Sequence, residues 1–163
     1  MSDILQTAGL VIALATPSPA TQGSLSVEQA IEVVRPVYNA LTAASSADVR
    51  IHLESGTTKD WQNCGSTNAC DDREATIARW SARIAKVPDF RFEIRDVVTM
   101  GNRIVVRSEA QGTPVGEFLG VAQSGHAFRI MTIDVHEVQD GRVSRTYHVE
   151  DWARAARQLR DQD

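Results

Sequence analysis

Three ionisable side chains, Asp134, His136 and His148, stand where a half-buried hairpin prefers apolar ones, in the stretch IDVHEVQDGRVSRTYHVEDW from Ile133 to Trp152. An unperturbed imidazole titrates at about 6.5 and so can take up and return a proton near neutrality. A carboxylate beside it orients the ring, selects its tautomer and stabilises its protonated form. These residue types offer His148 as a base, Asp134 as the group that orients it, and His136 as a donor to a carbonyl or developing enolate. Such proton transfer requires neither a metal nor an organic cofactor. Each assignment has a structural alternative. Asp134 and His148 would equally form a satisfied hydrogen-bonded pair, and His136 would be solvated or paired with Arg145 or Glu137. His126, beside Gly125, is expected to be exposed, and His52 has no evident partner.

Whether Asp134 and His148 meet depends on the turn between them. With Gln139-Asp140-Gly141 as a three-residue loop and Gly141 left-handed, Val138 pairs with Arg142 and Thr132 faces His148. Asp134 and His148 are then diagonal neighbours on one face, close enough to meet or to grip one ligand. A two-residue loop shifts the register by one and sends them to opposite faces. Tyr147 points away from the pair in the first register.

The elements that must hold this hairpin are partly legible. SVEQ, with Ser26 as N-cap and Gln29 reaching back, opens a helix whose apolar face runs through Val27, Ala30, Ile31, Val34, Val37, Tyr38 and Leu41. Pro36 is expected to bend or break it, and AASSAD to end it. Residues 51 to 68 read as loop with one short strand or turn around Trp61. Asp71 and Asp72 start a second helix through Ala85, ahead of Pro88. From Phe90 the period becomes strand-like in FRFEIRDVV, NRIVVRSEAQG, GEFLGVA, HAFRIMTIDVHEV and RVSRTYHV, an antiparallel meander. Glu150 and Asp151 open a last short helix, with Arg154, Arg157 and Arg160 toward its end. Helices followed by strands predict an α+β fold with one sheet face buried against helices and a pocket in the curve of the sheet.

The 163 residues, 42% hydrophobic, suit one domain over residues 26 to 163, preceded by an apolar segment and linker over residues 1 to 25. The apolar run Ala8 to Ala15 lacks a basic start, carries Asp3 before it and is too short to span a bilayer. It reads as a degenerate export signal or a plain N-terminal helix. Cys64 and Cys70 in NCGSTNAC form either a local disulfide, favouring an oxidising compartment, or two free thiols in a cytoplasmic protein; the spacing argues against zinc. A net charge of −4 without any basic run gives no footprint for nucleic acid or an anionic membrane.

GEFLGVAQSGHAF followed by DVHEVQDGRVSRTYHVEDW resembles the SnoaL-like polyketide cyclases of the nuclear-transport-factor-2-like superfamily, over residues 26 to 160. The resemblance implies a cone-shaped, curved antiparallel sheet packed on N-terminal helices and enclosing a pocket. It also implies an intramolecular aldol closure, with an aspartate near the end of the last strand as general acid/base and a histidine facing it from the preceding strand. Aligned on the Asp-Gly turn, those positions are His148 and Asp134, so the residue types are exchanged here. Trp61, Trp80 and Phe118 are candidates for the apolar walls that hold a small hydrophobic molecule; by default the tryptophans, Trp152 included, are core or cap residues. Relatives of this fold associate through the open sheet face, which makes a homodimer the expected assembly. Two functions fit: a cofactor-independent cyclase or isomerase, or a non-catalytic module that binds a small molecule or dimerises. Epoxide hydrolase and dehydratase chemistry are further options for the same residue pair.

Overall fold

Ser26 starts the first helix as its capping box requires. Its hydroxyl accepts from the Gln29 N–H at 3.2 Å, while the Gln29 side chain accepts from the Ser26 N–H at 2.9 Å. In the computed structural model, which describes residues 24–160, this helix α1 spans Val27–Leu41 and buries Val34, Val37, Tyr38 and Leu41. The apolar run Ala8 to Ala15 and most of the expected linker lie outside the described residues. Pro36 does not break α1. The next helix, α2 over Ser46–Gly56, brings Gly56 against the Pro36 ring, where a Cβ would come within 2.5 Å of Pro36 Cβ.

The segment expected as loop is ordered. It holds the end of α2 and then β1 over Thr57–Cys64, which is linked to β2 over Cys70–Asp72 by the Cys64–Cys70 disulfide. Both elements are hard to see because only Val49, Leu53 and Gly56 of α2 are buried, and β1 lacks a clean alternation. Helix α3, Arg73–Lys86, follows with Asp72 as N-cap, accepting from the Ala75 N–H at 2.8 Å.

The remaining strands are β3 over Arg91–Met100, β4 over Arg103–Gly112, β5 over Phe128–Gln139 and β6 over Arg142–Glu150; α4 over Trp152–Arg160 closes the chain. They form one open, curved six-stranded sheet in the order β2-β1-β6-β5-β4-β3. The meander from β3 to β6 is antiparallel as expected, but β1 joins β6 in parallel, so the sheet is mixed. GEFLGVA is not a strand. Leu119 and Gly120 adopt φ of 53° and 69°, and Phe118 and Val121 exchange two backbone hydrogen bonds of 3.0 Å, making a tight turn.

The central hairpin also differs from expectation. Its loop is the two-residue Asp140-Gly141, at φ of 51° and 73°, so that Gln139 pairs with Arg142 and Val138 with Val143. That turn alone would put Asp134 and His148 on opposite faces. Ser144 prevents this: it is an extra residue in β6, and beyond it Glu137 pairs with Arg145 and the register is shifted by one. Asp134 and His148 therefore share a face and stand directly opposite each other rather than diagonally. Val143 before the bulge and Thr146, His148 and Glu150 after it all turn toward the interior, while Tyr147 and Val149 face outward.

Helices α1 to α3 cover the inner sheet face with Val34, Val37, Leu53 and Ile77 on Trp61, Ile104 and Val106. A second cluster joins Phe128 and Ile130 to Ala155 and Leu159 of α4. The two clusters leave a space between the helices and the inner face of β5 and β6.

Candidate active site

The space is a cavity of about 350 Å³. Its apolar walls come from Trp80, Phe90, Phe92, Phe118 and Trp152. The aromatic packing is mutual: Phe118 stacks on Phe128 at 5.8 Å, and Trp152 meets both edge-on at 5.9 and 5.7 Å. Of the three residues expected as walls, Trp80 and Phe118 line the cavity, whereas Trp61 is fully buried behind it, its ring edge-on to Trp80 at 6.3 Å.

The polar floor follows from the hairpin register. Three cross-strand pairs, Thr132 with Glu150, Asp134 with His148 and His136 with Thr146, lie side by side on the inner face. Helix α1 adds Tyr38, whose hydroxyl sits 2.8 Å from Asp134 Oδ2 and 2.9 Å from His136 Nε2. On its other edge, His136 Nδ1 is 3.0 Å from Thr146 Oγ1, which also accepts from Trp61 Nε1 at 3.1 Å.

These contacts have a direction. The indole N–H can only donate, so Thr146 accepts from Trp61 and is free to donate to His136 Nδ1. His136 is fully buried, and that burial, with the nearby His148, lowers its pKa to about 3, so the ring is neutral and carries one N–H. With Nδ1 accepting, that proton is on Nε2 and donates to the Tyr38 oxygen, which leaves the Tyr38 proton to donate to Asp134. The chain Trp61 to Thr146 to His136 to Tyr38 to Asp134 thus satisfies every member when Asp134 is ionised. Burial, helped by the Asp134 charge and hydrogen bond, holds the Tyr38 hydroxyl well above the ordinary tyrosine range.

Asp134 itself is held near neutrality. Burial raises its carboxyl to about 7; the Tyr38 hydrogen bond opposes this, Glu150 adds to it and His148 opposes it. Among the described residues, its second oxygen has no hydrogen-bond partner, and Asp134 is part of the cavity lining. His148 does not hydrogen-bond Asp134. Its Nδ1 is 3.2 Å from Glu150 Oε2, which also accepts from Trp152 Nε1 at 2.8 Å, so the carboxylate that orients His148 is Glu150. Burial pushes the Glu150 carboxyl up, but His148, Trp152 and Arg79 outweigh it and keep the group below its ordinary value. His148 Nε2 is buried without a partner beside Gly65 of the disulfide-closed loop, where a Cβ would lie 3.5 Å away.

His136 is therefore neither solvated nor paired with Arg145 or Glu137; both of its nitrogens are engaged in the interior. Tyr38, Thr146 and Glu150 escaped the sequence reading. Tyr38 sits in an apolar helical stripe, and Glu150 looks like a helix-opening acid. The available signal was parity, since 146, 148 and 150 share one strand face. Among the described residues no group of three or more His, Cys, Asp and Glu side chains is placed to hold a metal ion.

An open curved sheet closed by helices around an aromatic cavity, with titratable groups on the floor, defines an α+β cone protein. The chain belongs to the SnoaL-like polyketide cyclase family, whose sequence profile matches residues 38–159. Solved structures of similar shape include TsrD from Streptomyces laurentii, with 21% identity, TM-score 0.70 and coverage of 83% of this chain and 97% of that one. Another is IdmH from Streptomyces antibioticus, described as a polyketide cyclase candidate, with 25% identity, TM-score 0.69 and coverage of 82% and 99%. A third, a SnoaL-like polyketide cyclase candidate from Jannaschia sp. CCS1, has 20% identity, TM-score 0.70 and coverage of 83% and 94%. No curated protein sequence matches the chain significantly.

Proposed function

We propose that the protein is a cofactor-independent acid/base catalyst acting on a small hydrophobic carbonyl compound, by intramolecular aldol cyclisation or the related isomerisation. Family membership supports a cyclase-type role. The observation that carries the finer reading is Asp134, a buried carboxyl in the cavity lining, raised to about 7, with one oxygen held by Tyr38 and the other without a partner among the described residues. In this reading Asp134 removes a proton from the carbon next to a carbonyl, the resulting enolate attacks a second carbonyl of the same molecule, and the new alkoxide takes the proton back. His148, held by Glu150, faces Asp134 and favours its ionised form, and His136 acts through Tyr38 rather than on the substrate directly. Trp80 and Phe118 flank the ligand. The outward row Val98, Val105, Val135 and Tyr147, with Met131 and Val149 beside it, supports a homodimer through the outer sheet face.

The test is exchange of the α-protons of 1-tetralone for deuterium in D₂O, followed by NMR. Wild type should accelerate the exchange, and Asp134→Asn should reduce that acceleration by about 10²-fold or more, the usual scale of general base catalysis. No acceleration by wild type removes the carbonyl reading; an unaffected variant removes Asp134 as the base.

A further inference from the structure

Helix α3 turns three cations toward the cavity, Arg79, Arg83 and Lys86, spaced so that they share one helical face. Arg79 is neutralised by Asp71 at 3.1 Å. Arg83 is not: among the described residues no carboxylate lies within ion-pair distance of it. One of its terminal nitrogens donates to the Leu41 carbonyl, its guanidinium lies over the Phe90 ring at 4.1 Å, and its buried Nε has no partner. Glu150 is the acid whose field it feels, but Glu150 is already committed to His148 and Trp152. Burial accordingly lowers the Arg83 pKa to about 10.

A guanidinium withdrawn from water, fixed by stacking and a backbone carbonyl, and left without a counter-ion is costly unless something else supplies the negative charge. Its planar fork suits a carboxylate. Lys86, about one turn further along α3, adds a second cation to the cavity lining.

We propose that Arg83, assisted by Lys86, is the anion subsite of the cavity, and that the substrate is an aromatic carbonyl compound bearing a free carboxylate. This rests on the reading of the cavity as the substrate site, and it adds an orientation. The carboxylate is anchored on α3 and the reacting carbonyl is directed toward Asp134 on β5.

The experiment is calorimetric binding of 2-naphthoate and of methyl 2-naphthoate to wild type, Arg83→Gln and Arg83→Lys, with circular dichroism confirming the fold of each variant. Wild type should bind the acid at least about tenfold more tightly than the ester. Arg83→Gln should bring the two affinities together by weakening the acid alone, and Arg83→Lys should keep part of the preference. Equal affinities in wild type, no binding of either compound, or an equal loss of acid and ester in Arg83→Gln would each overturn the subsite. Binding is read without turnover. Absence of α-proton exchange alongside an Arg83-dependent preference would therefore sink only the proton-transfer reading.

Discussion

Replacing Asp134 by Asn should expose a pH dependence that the intact site conceals. The Asp134 carboxyl titrates at about 7 in the folded protein against an ordinary value of 3.8. From about pH 4 to 7 the folded state therefore keeps a proton that the unfolded chain has lost, and stability falls with rising pH by about 1.4 kcal/mol per unit. His136 acts in the opposite direction. It is neutral in the fold down to about pH 3 against an ordinary 6.5, so over that range the unfolded chain holds the extra proton and stability rises with pH by the same slope. Between about pH 4 and 6.5 the two contributions cancel. Removing the Asp134 titration leaves the His136 slope alone, a gain of about 3 kcal/mol for the variant relative to wild type across that window. Urea unfolding of wild type and Asp134→Asn at half-unit steps from pH 4 to 8 measures it, because other groups cancel in the difference. His136→Asn should give a difference of opposite sign. A difference curve that is flat for Asp134→Asn would refute the assignment of a buried carboxyl raised to about 7 and with it the reason for choosing Asp134 as the base.

Two further outcomes follow from the packing. Thr146→Val strips Trp61 Nε1 of its acceptor and His136 Nδ1 of its donor. It should cost about 1–3 kcal/mol and turn the His136 ring from a single Nε2–H tautomer into a mixture, visible in nitrogen-15 spectra; an unchanged tautomer at unchanged stability would break the directed chain. Gly56→Ala puts a Cβ within 2.5 Å of Pro36 Cβ, so the denaturant midpoint should fall by an amount equivalent to about 1–3 kcal/mol. An unchanged midpoint would mean that the approach of α1 and α2 is looser than described.

What could be read from the sequence divides along physical lines. The helix starts at Ser26 and Asp72 were visible because capping is local: one side chain and a backbone N–H three residues on. The Asp-Gly turn was visible for the same reason. The register was not, because Ser144 carries no compositional mark of a bulge; a three-residue loop led to the correct face through a different geometry. Helix α2 and strand β1 were obscured because their burial rests on isolated residues, Val49, Leu53 and Trp61, rather than on a periodic stripe. In the candidate site, Asp134, His136 and His148 stood out as charges in an apolar context. Tyr38 did not, since a tyrosine in a helical stripe looks like core until the hairpin on which its hydroxyl ends has been placed. Glu150 displaced Asp134 as the partner of His148 by a parity that is independent of the bulge, since residues two apart on β6 share a face in any register, but it was masked by the reading of Glu150 as a helix-opening acid.

The bulge at Ser144 makes the site a matter of register as well as chemistry. Point substitutions along β6 change what a given position presents, but each position keeps its side of the sheet. Drawing Ser144 into the ladder opposite Glu137 would instead slide the strand by half a pleat, delivering Tyr147 opposite Asp134 and carrying His148 and Glu150 to the outer face, with every amino acid unchanged. Removing Ser144 outright would leave Glu137 opposite Arg145 and Asp134 opposite His148, with the bulge gone and the polar lining kept. What keeps His148 and Glu150 inside is therefore the unpaired state of Ser144, not the number of residues in β6.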